Sequence, residues 1–268
     1  MNAPQRIKLR HIVPSLVTVF AICAGLTSVR MSLEGHLHAS LYFILLAVFL
    51  DAADGKLARF LDTASPFGAE LDSLADFFNF GIAPGFLVYN TLYTGTRYAS
   101  LGWVAVVVLA VCCALRLARF NLSMHRPGVT LKQDGFFVGV PAPALTCLAL
   151  MPILFYLAGW REDDFPILRG AYIIGIGLLA VSTIPTFSIK HASIRRAHLP
   201  VFIVGAMVFA ACLVVYPVLT LIVGNLLYLC SLPLSFCVSR TSSPGNSKSE
   251  SSIDAQDAIF LKSEGDVS

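Results

Sequence analysis

Long apolar runs separated by short polar segments make up most of the chain between residues 12 and 237. Each run approaches the roughly 20 apolar residues that a helix needs to cross the hydrocarbon core of a bilayer. The pattern therefore predicts an all-α, polytopic membrane bundle of about eight transmembrane helices. The predicted spans are Ile12–Met31, Ala39–Phe60, Pro66–Tyr89, Leu101–Asn121, Val138–Ala158, Gly170–Ile189, Leu199–Tyr216 and Pro217–Cys237. Pro217 either separates the last two helices or kinks one long helix.

The two ends of the chain differ from this apolar domain, residues 12–237. Residues 1–11 are basic, and the apolar run behind them is long enough to span a membrane and lacks a signal-peptide cleavage site. We therefore expect a retained first helix. Residues 238–268 are rich in serine, with glycine, proline and scattered charge, and predict a disordered tail.

Composition agrees with a membrane protein. Hydrophobic residues make up 56% of the chain and charged residues 13%, and the mean hydropathy is +0.76, which excludes an ordinary soluble domain. The net charge of +3 is small, so it does not indicate a nucleic-acid partner. The seven cysteines are odd in number and form no C-x-x-C pair, so they are interpreted as small packing residues.

Basic residues favour one side of the predicted bundle. If the N-terminus is cytoplasmic, only four of the 19 lysines and arginines fall in loops on the opposite side. These four are Arg30, Arg97, Arg161 and Arg169. By the positive-inside rule, both termini are expected to be cytoplasmic.

Acidic residues interrupt the apolar pattern where the second predicted helix ends and the third begins. Asp51 and Asp54 lie three residues apart, and Asp72 and Asp76 lie four apart. Each spacing places both carboxylates on one helix face. Ionisable residues in such segments are costly and usually functional. Four carboxylates facing a shared cleft predict a site for hard divalent cations, with two ions neutralising the mutual repulsion.

A two-metal site of this kind is suited to in-line displacement at phosphorus. Gly55 and Ala58, on the same face as the acids, leave room for a bulky or charged group beside the helix. Arg59 can meet phosphate charge at the membrane surface. The pocket therefore indicates metal-assisted phosphoryl-type transfer on a lipid-borne substrate.

These residues also resemble a known family signature. The pattern is Asp51-x-x-Asp54-Gly55-x-x-Ala58-Arg59, eight residues, then Gly68-x-x-x-Asp72-x-x-x-Asp76. It is similar, without departure, to the signature of the CDP-alcohol phosphatidyltransferases. The resemblance implies that an acceptor hydroxyl displaces CMP from a CDP-alcohol, commonly CDP-diacylglycerol, and that the enzyme is a homodimer.

The resemblance also implies roles for the signature residues. The four aspartates, Asp51, Asp54, Asp72 and Asp76, would hold Mn²⁺ or Mg²⁺, as two ions. Asp76 would also be the general base for the acceptor hydroxyl. The CDP pocket would be shaped by Gly55, Ala58, Arg59 and Gly68.

Three further stretches, Asp72–Pro84, Ala114–Asn121 and Phe137–Pro143, resemble the membrane-embedded phosphatidylserine synthases of bacteria. This implies transfer of a phosphatidyl group from CDP-diacylglycerol to L-serine in phospholipid biosynthesis, in a bacterial inner membrane. With both termini cytoplasmic, the aspartate cluster is expected to open to the cytoplasm. Candidates for binding the acceptor or a phosphate are Asn79, Arg116, Arg119 and Asn121. For the two arginines, positive-inside anchoring is an equal alternative. Asn121 can instead end its helix.

Other functions remain open at this stage. The same family includes enzymes for glycerol 3-phosphate, inositol phosphate or choline, and few pocket residues separate such specificities. A divalent-cation transporter would also place aspartates inside the membrane. A catalytically inactive scaffold is disfavoured because every acid of the motif is present.

Overall fold

A computed structural model describes residues 12–63, 65–125, 132–133, 136–138, 140–160, 165–182, 185–187 and 199–241. Helices account for nearly all of these residues, in agreement with the predicted all-α class. The helices are α1 (Val13–Leu33), α2 (Leu37–Phe60), α3 (Pro66–Asp76), α4 (Ala83–Leu92), α5 (Ala99–His125), α6 (Ala142–Ala149), α7 (Met151–Leu157), α8 (Pro166–Val181), α9 (Leu199–Val215) and α10 (Pro217–Thr241). A π-helical segment, Phe77–Ile82, joins α3 to α4.

Three short strands add to the helices. They are β1 (Lys132–Gln133), β2 (Phe136–Val138) and β3 (Pro185–Phe187), and they form an antiparallel sheet in the order β1-β2-β3. Two predicted helix ends are therefore wrong. The fifth helix begins at Ala142 rather than Val138, after Pro141 in extended conformation. The sixth ends at Val181 rather than Ile189, because Ser182 is extended and Pro185 cannot donate to a helix.

Other ends also differ from the prediction. Helix α5 continues to His125, so Asn121 does not end it. Helix α10 runs to Thr241, so residues 238–241 are helical rather than part of the predicted tail. At Pro217 the chain forms two helices, with a bend at Tyr216 between them. The predicted basic segment, residues 1–11, and the tail from residue 242 lie outside the described residues.

Apolar length and exposure support an integral membrane protein. Among the described residues, three helices are long and apolar enough to cross a membrane, at Val13–Leu33, Leu37–Phe60 and Ala99–Leu122. Shorter apolar helices lie at Ala142–Leu157 and Pro166–Val181. In α9, large apolar side chains such as Met207 are more than half exposed, as expected for a helix surrounded by lipid.

Small residues let α1 pack closely on α2. The buried face of α1 carries Pro14, Thr18, Ala21, Ala24, Gly25, Ser28 and Ser32. Ser28 Oγ donates to the carbonyl of Ser40 at 2.7 Å, and Ser40 Oγ donates to the carbonyl of Ser28 at 2.9 Å. Such small and hydroxylated residues are typical of helix interfaces in membranes.

Helix α5 lies at the centre and packs against α4, the π-helical segment and α8. Two glycines allow these close approaches. A Cβ at Gly85 would lie 2.7 Å from Val106 Cγ1, and one at Gly177 would lie 3.3 Å from the Cα of Leu109. Nearer the C-terminal end of α5, Arg119 contacts the C-terminal end of α8 and Asn121 contacts α3.

The π-helical segment follows Asp76 directly. Pro84, two residues after this segment, has no N–H, so the carbonyl four residues earlier, at Phe80, loses its usual helical donor. Thr146 Oγ1 on α6 lies 3.5 Å from that carbonyl, at the long end of hydrogen-bonding distance. A polar side chain of a neighbouring helix thus supports the interrupted backbone, as membrane helices require.

Candidate active site

A tight turn between α2 and α3 brings the motif acids together. Helix α2 ends at Phe60, and Asp62 adopts a left-handed conformation with φ of 49°. Ser65 then caps α3, because its Oγ accepts a hydrogen bond from the N–H of Gly68 at 3.0 Å. The chain reverses within a few residues, so the C-terminal turns of α2 face the start of α3.

Three of the four predicted metal ligands converge. Carboxylate oxygens of Asp51, Asp72 and Asp76 all lie within 4.8 Å of one another, and the three residues are partly buried. Asp51 comes from α2, whereas the other two lie one turn apart on α3. Carboxylates this close repel one another unless a cation or a proton neutralises them.

Asp54 is placed differently from the other three. Its side chain is 3% exposed, and Oδ2 accepts a hydrogen bond from Thr18 Oγ1 of α1 at 2.6 Å. Its Oδ1 is buried and has no hydrogen-bond partner among the described residues. Asp54 still lies within Coulombic range of Asp72. It therefore borders the three-carboxylate cluster and is fixed in orientation by α1.

The donor set fits a divalent cation. Mg²⁺ and Mn²⁺ take oxygen ligands, and the cluster offers carboxylates from two helices. Asp51 Oδ1, like Asp54 Oδ1, is buried without a hydrogen-bond partner among the described residues. Buried carboxylate oxygens are costly when unpaired, and cations bound here would satisfy them.

The small residues of the motif leave space on one side of α2. A Cβ at Gly55 would meet nothing within 4 Å, and Ala58 is half-buried. Arg59 is exposed, and its Nε donates to the carbonyl of Gly55 at 2.9 Å. These three predicted CDP-pocket residues thus lie on an open helix surface next to the acids.

Gly68, the fourth predicted pocket residue, lies in the first turn of α3. A Cβ there would approach Ser65 Oγ to 3.1 Å and Ser15 Oγ of α1 to 3.7 Å. Its N–H is the group that Ser65 caps. Glycine at this position therefore permits both the cap and the close approach of α1 to α3.

The two candidate arginines of α5 have different surroundings. Arg119 donates through Nη1 to the carbonyl of Val181 at 2.9 Å and lies 3.5 Å from the carbonyl of Ser182 through Nη2. It therefore caps the C-terminal end of α8. Arg116 lies within Coulombic range of Asp76, and its buried Nε has no hydrogen-bond partner among the described residues.

The two candidate asparagines each contact another helix, Asn121 at α3 and Asn79 at α1. Asn121 Nδ2 donates to Ser73 Oγ on α3 at 2.9 Å, which ties the end of α5 to the motif helix. Asn79, in the π-helical segment, is fully buried, and its amide atoms have no hydrogen-bond partner among the described residues. It occupies the space that Gly25 of α1 leaves open, since a Cβ at Gly25 would clash with Asn79 Oδ1.

Sequence reasoning missed three polar residues at this site. Thr18 orients Asp54 through a hydrogen bond, and Ser73 accepts a hydrogen bond from Asn121. Tyr228 of α10 lies within Coulombic range of Arg116, and its hydroxyl is buried without a partner among the described residues. The small-residue face of α1 was a usable signal for Thr18, whereas nothing in the apolar pattern of α10 singles out Tyr228.

Comparison with known proteins places the chain among phospholipid-synthesising enzymes. A family model described as CDP-alcohol phosphatidyltransferase matches residues 11–184, and one described as CDP-alcohol phosphatidyltransferase 2 matches residues 198–233. A CDP-diacylglycerol–serine O-phosphatidyltransferase of Mycobacterium leprae is 39% identical over 228 residues, or 84% of this chain and 74% of that protein.

Proteins with the same name from other bacteria are also similar to this chain. That of Helicobacter pylori is 31% identical over 225 residues, which is 82% of this chain and 88% of that protein. That of Bacillus subtilis is 32% identical over 185 residues, which is 68% of this chain and 93% of that protein. The similarity therefore extends well beyond the aspartate motif.

Proposed function

The chain belongs to the CDP-alcohol phosphatidyltransferase family, and from this premise we propose that it transfers a phosphatidyl group from CDP-diacylglycerol to L-serine. The products are phosphatidylserine and CMP. The observation that supports this most directly is the convergence of Asp51, Asp72 and Asp76 within a chain whose relatives bear the name of this reaction.

The reaction is a displacement at the lipid-linked phosphorus. The serine hydroxyl oxygen forms a new bond to that phosphorus, and the bond to the oxygen of CMP breaks, so CMP leaves with both electrons of the broken bond. The serine hydroxyl loses its proton, and Asp76 is the proposed base. Asp76 suits this task because it belongs to the carboxylate cluster, where the reacting phosphate would bind, and lies within Coulombic range of Arg116.

Asp51, Asp54, Asp72 and Asp76 are the residues that would hold divalent cations, proposed to be two Mg²⁺ or Mn²⁺ ions. When bound, such ions neutralise phosphate charge and stabilise the attacking and leaving oxygens. Thr18 contributes indirectly, because its hydrogen bond fixes the orientation of Asp54.

We place the CDP part of the donor against the open face of α2. Gly55 and Ala58 leave room for the nucleotide, and the exposed Arg59 can bind a phosphate oxygen. Gly68 contributes by keeping the first turn of α3 close to α1. Arg59 Nε donates to the carbonyl of Gly55, and the two terminal nitrogens of its guanidinium are proposed to bind the phosphate.

The proposed setting is a bacterial inner membrane. The apolar helices would form a bundle of eight spans, counting α3, the π-helical segment and α4 as one span and α6 with α7 as another. Both termini and the aspartate site would face the cytoplasm, where nucleotides and serine are available. Residues 12–237 would form the catalytic domain, and a homodimer is the proposed assembly.

The test is CMP release by the purified protein from CDP-diacylglycerol with Mn²⁺ or Mg²⁺. Serine, glycerol 3-phosphate, inositol phosphate and choline are offered separately. Release with serine alone is expected. Release only with another acceptor would leave the family assignment intact and show that serine is not the acceptor. No release with any acceptor would favour the divalent-cation transporter or the inactive scaffold.

A further inference from the structure

Two hydrogen-bond donors on neighbouring side chains of α5 and α10 are buried and have no hydrogen-bond partner among the described residues. They are Nε of Arg116 on α5 and the hydroxyl of Tyr228 on α10. The two side chains lie within Coulombic range of each other but do not form a hydrogen bond. Unpaired buried donors are costly, and a ligand with hydrogen-bond acceptors between these two side chains would satisfy both.

A hydrogen bond from a neighbouring residue of α10 helps to fix the position of Tyr228. Three residues earlier, Asn225 Nδ2 donates to the carbonyl of Cys147 at 2.7 Å and so anchors α10 to α6. Tyr228 itself packs against the hydrophobic core. In a membrane helix a tyrosine hydroxyl normally finds a partner, and a second buried tyrosine illustrates this. Tyr172 donates to the carbonyl of Leu148 at 3.0 Å.

The charges around this pair favour an anionic group. Arg116 lies within Coulombic range of both Asp76 and Tyr228. Arg119, one turn away, is already bonded to the end of α8. A guanidinium and a phenol both donate hydrogen bonds, and a planar carboxylate has two oxygens that can accept one from each.

We propose that Arg116 and Tyr228 bind the carboxylate of the amino-acid acceptor. With its carboxylate held there, serine has its hydroxyl directed toward Asp76, the proposed base. The positive charge of Arg116 also offsets the repulsion between the substrate carboxylate and the aspartate cluster. This inference rests on the proposed function, because it requires an acceptor with a carboxylate.

The direct test is the variant Tyr228→Phe, assayed by CMP release. Removing one hydrogen bond to a charged group is expected to raise the KM for serine about tenfold. The KM for CDP-diacylglycerol is expected to stay unchanged. Ethanolamine retains the amine and the hydroxyl of serine but lacks the carboxylate, so the preference for serine over ethanolamine is expected to fall by a similar factor.

Two further variants separate binding from folding. Tyr172→Phe removes a hydroxyl that is bonded to protein, so it is expected to lower thermal stability without changing the KM for serine. Arg116→Lys keeps the charge but loses the planar donor fork, and it is expected to raise the KM for serine more than the KM for the lipid.

Three outcomes would overturn the inference. An unchanged KM for serine in Tyr228→Phe removes the tyrosine from the acceptor site. A higher KM for CDP-diacylglycerol instead assigns the pair to the diphosphate of the donor. Equal losses with serine and ethanolamine indicate a general structural effect. A wild-type protein that does not use serine refutes the proposed function, and that failure is visible before any variant is made.

Discussion

The two ends of the α1–α2 helix pair differ in how far their buried polar groups are hydrogen-bonded. At one end, Ser28 and Ser40 exchange hydrogen bonds. At the other end, Thr18 satisfies one oxygen of Asp54, while Asp54 Oδ1 and Asp51 Oδ1 stay buried without partners among the described residues. The serine end is a closed helix contact, whereas the aspartate end leaves oxygens for a ligand.

Arg119 and Arg116 repeat this contrast on a second helix. Arg119 uses its guanidinium to cap α8, and Arg116 retains a buried Nε without a partner among the described residues. The two arginines are alike in residue type and lie one helical turn apart in the sequence. Unmet hydrogen-bonding capacity therefore distinguishes Arg116 from Arg119, whereas residue type does not.

Metal removal should have the largest effect on the aspartate end. If divalent cations neutralise the cluster, exhaustive chelation is expected to abolish CMP release, and added Mn²⁺ or Mg²⁺ is expected to restore it. Thermal unfolding in detergent, measured with and without metal, checks that the protein remains folded. Full activity after chelation would rule out the metal site.

The second-largest loss of activity is expected for Asp76→Asn, because this change removes both a proposed metal ligand and the proposed base. We expect kcat to fall roughly a thousandfold, measured by CMP release at saturating substrates. Glu70→Gln is a matched control on the same helix, since Glu70 is exposed and lies outside the carboxylate cluster. Near-normal turnover by the Asp76 variant would contradict both assignments.

Thr18→Val tests whether the contact between α1 and Asp54 supports the site. Loss of the 2.6 Å hydrogen bond is expected to raise the Mn²⁺ concentration for half-maximal activity by about 10- to 100-fold. Activity at saturating Mn²⁺ should largely survive. The control is Thr27→Val, whose hydroxyl bonds only the carbonyl of Cys23 in its own helix. An equal shift in both variants would assign the effect to general packing.

The smallest effect is expected at the serine end. Ser40→Ala removes the hydrogen bond to the Ser28 carbonyl and should lower the free energy of unfolding by about 1 kcal/mol. CMP release should not change, because no unpaired polar group is created near the aspartates. A large loss of activity without loss of stability would show that the two ends are coupled.

The sequence predicted the helical class because every long apolar run must bury or shield its backbone polar groups in a helix. Each of the eight predicted spans contains helix in the structure. Three of the differences from the prediction lie beside prolines. Pro141 lies before the late start of α6, Pro185 lies after the early end of α8, and Pro84 accompanies a π-helical segment that no periodicity predicted.

At the site, spacing alone placed the aspartates on shared helix faces, and the family signature named them. Helix periodicity does not reach across 36 residues of chain, so the hydrogen bond from Thr18 to Asp54 depends on how α1 packs. The same holds for the contact of Asn121 with Ser73 and for Tyr228 beside Arg116.

The sequence by itself thus determined the apolar helices, the acidic motif and the family, because these depend on composition and on local spacing. Only the tertiary structure decided which polar groups are satisfied by the protein. It assigned Arg119 to the end of α8 and left Arg116 beside the acids. The reason is physical. Whether two groups on different helices form a hydrogen bond depends on differences of a few tenths of an ångström in their separation, and helix packing, not residue order, sets that separation.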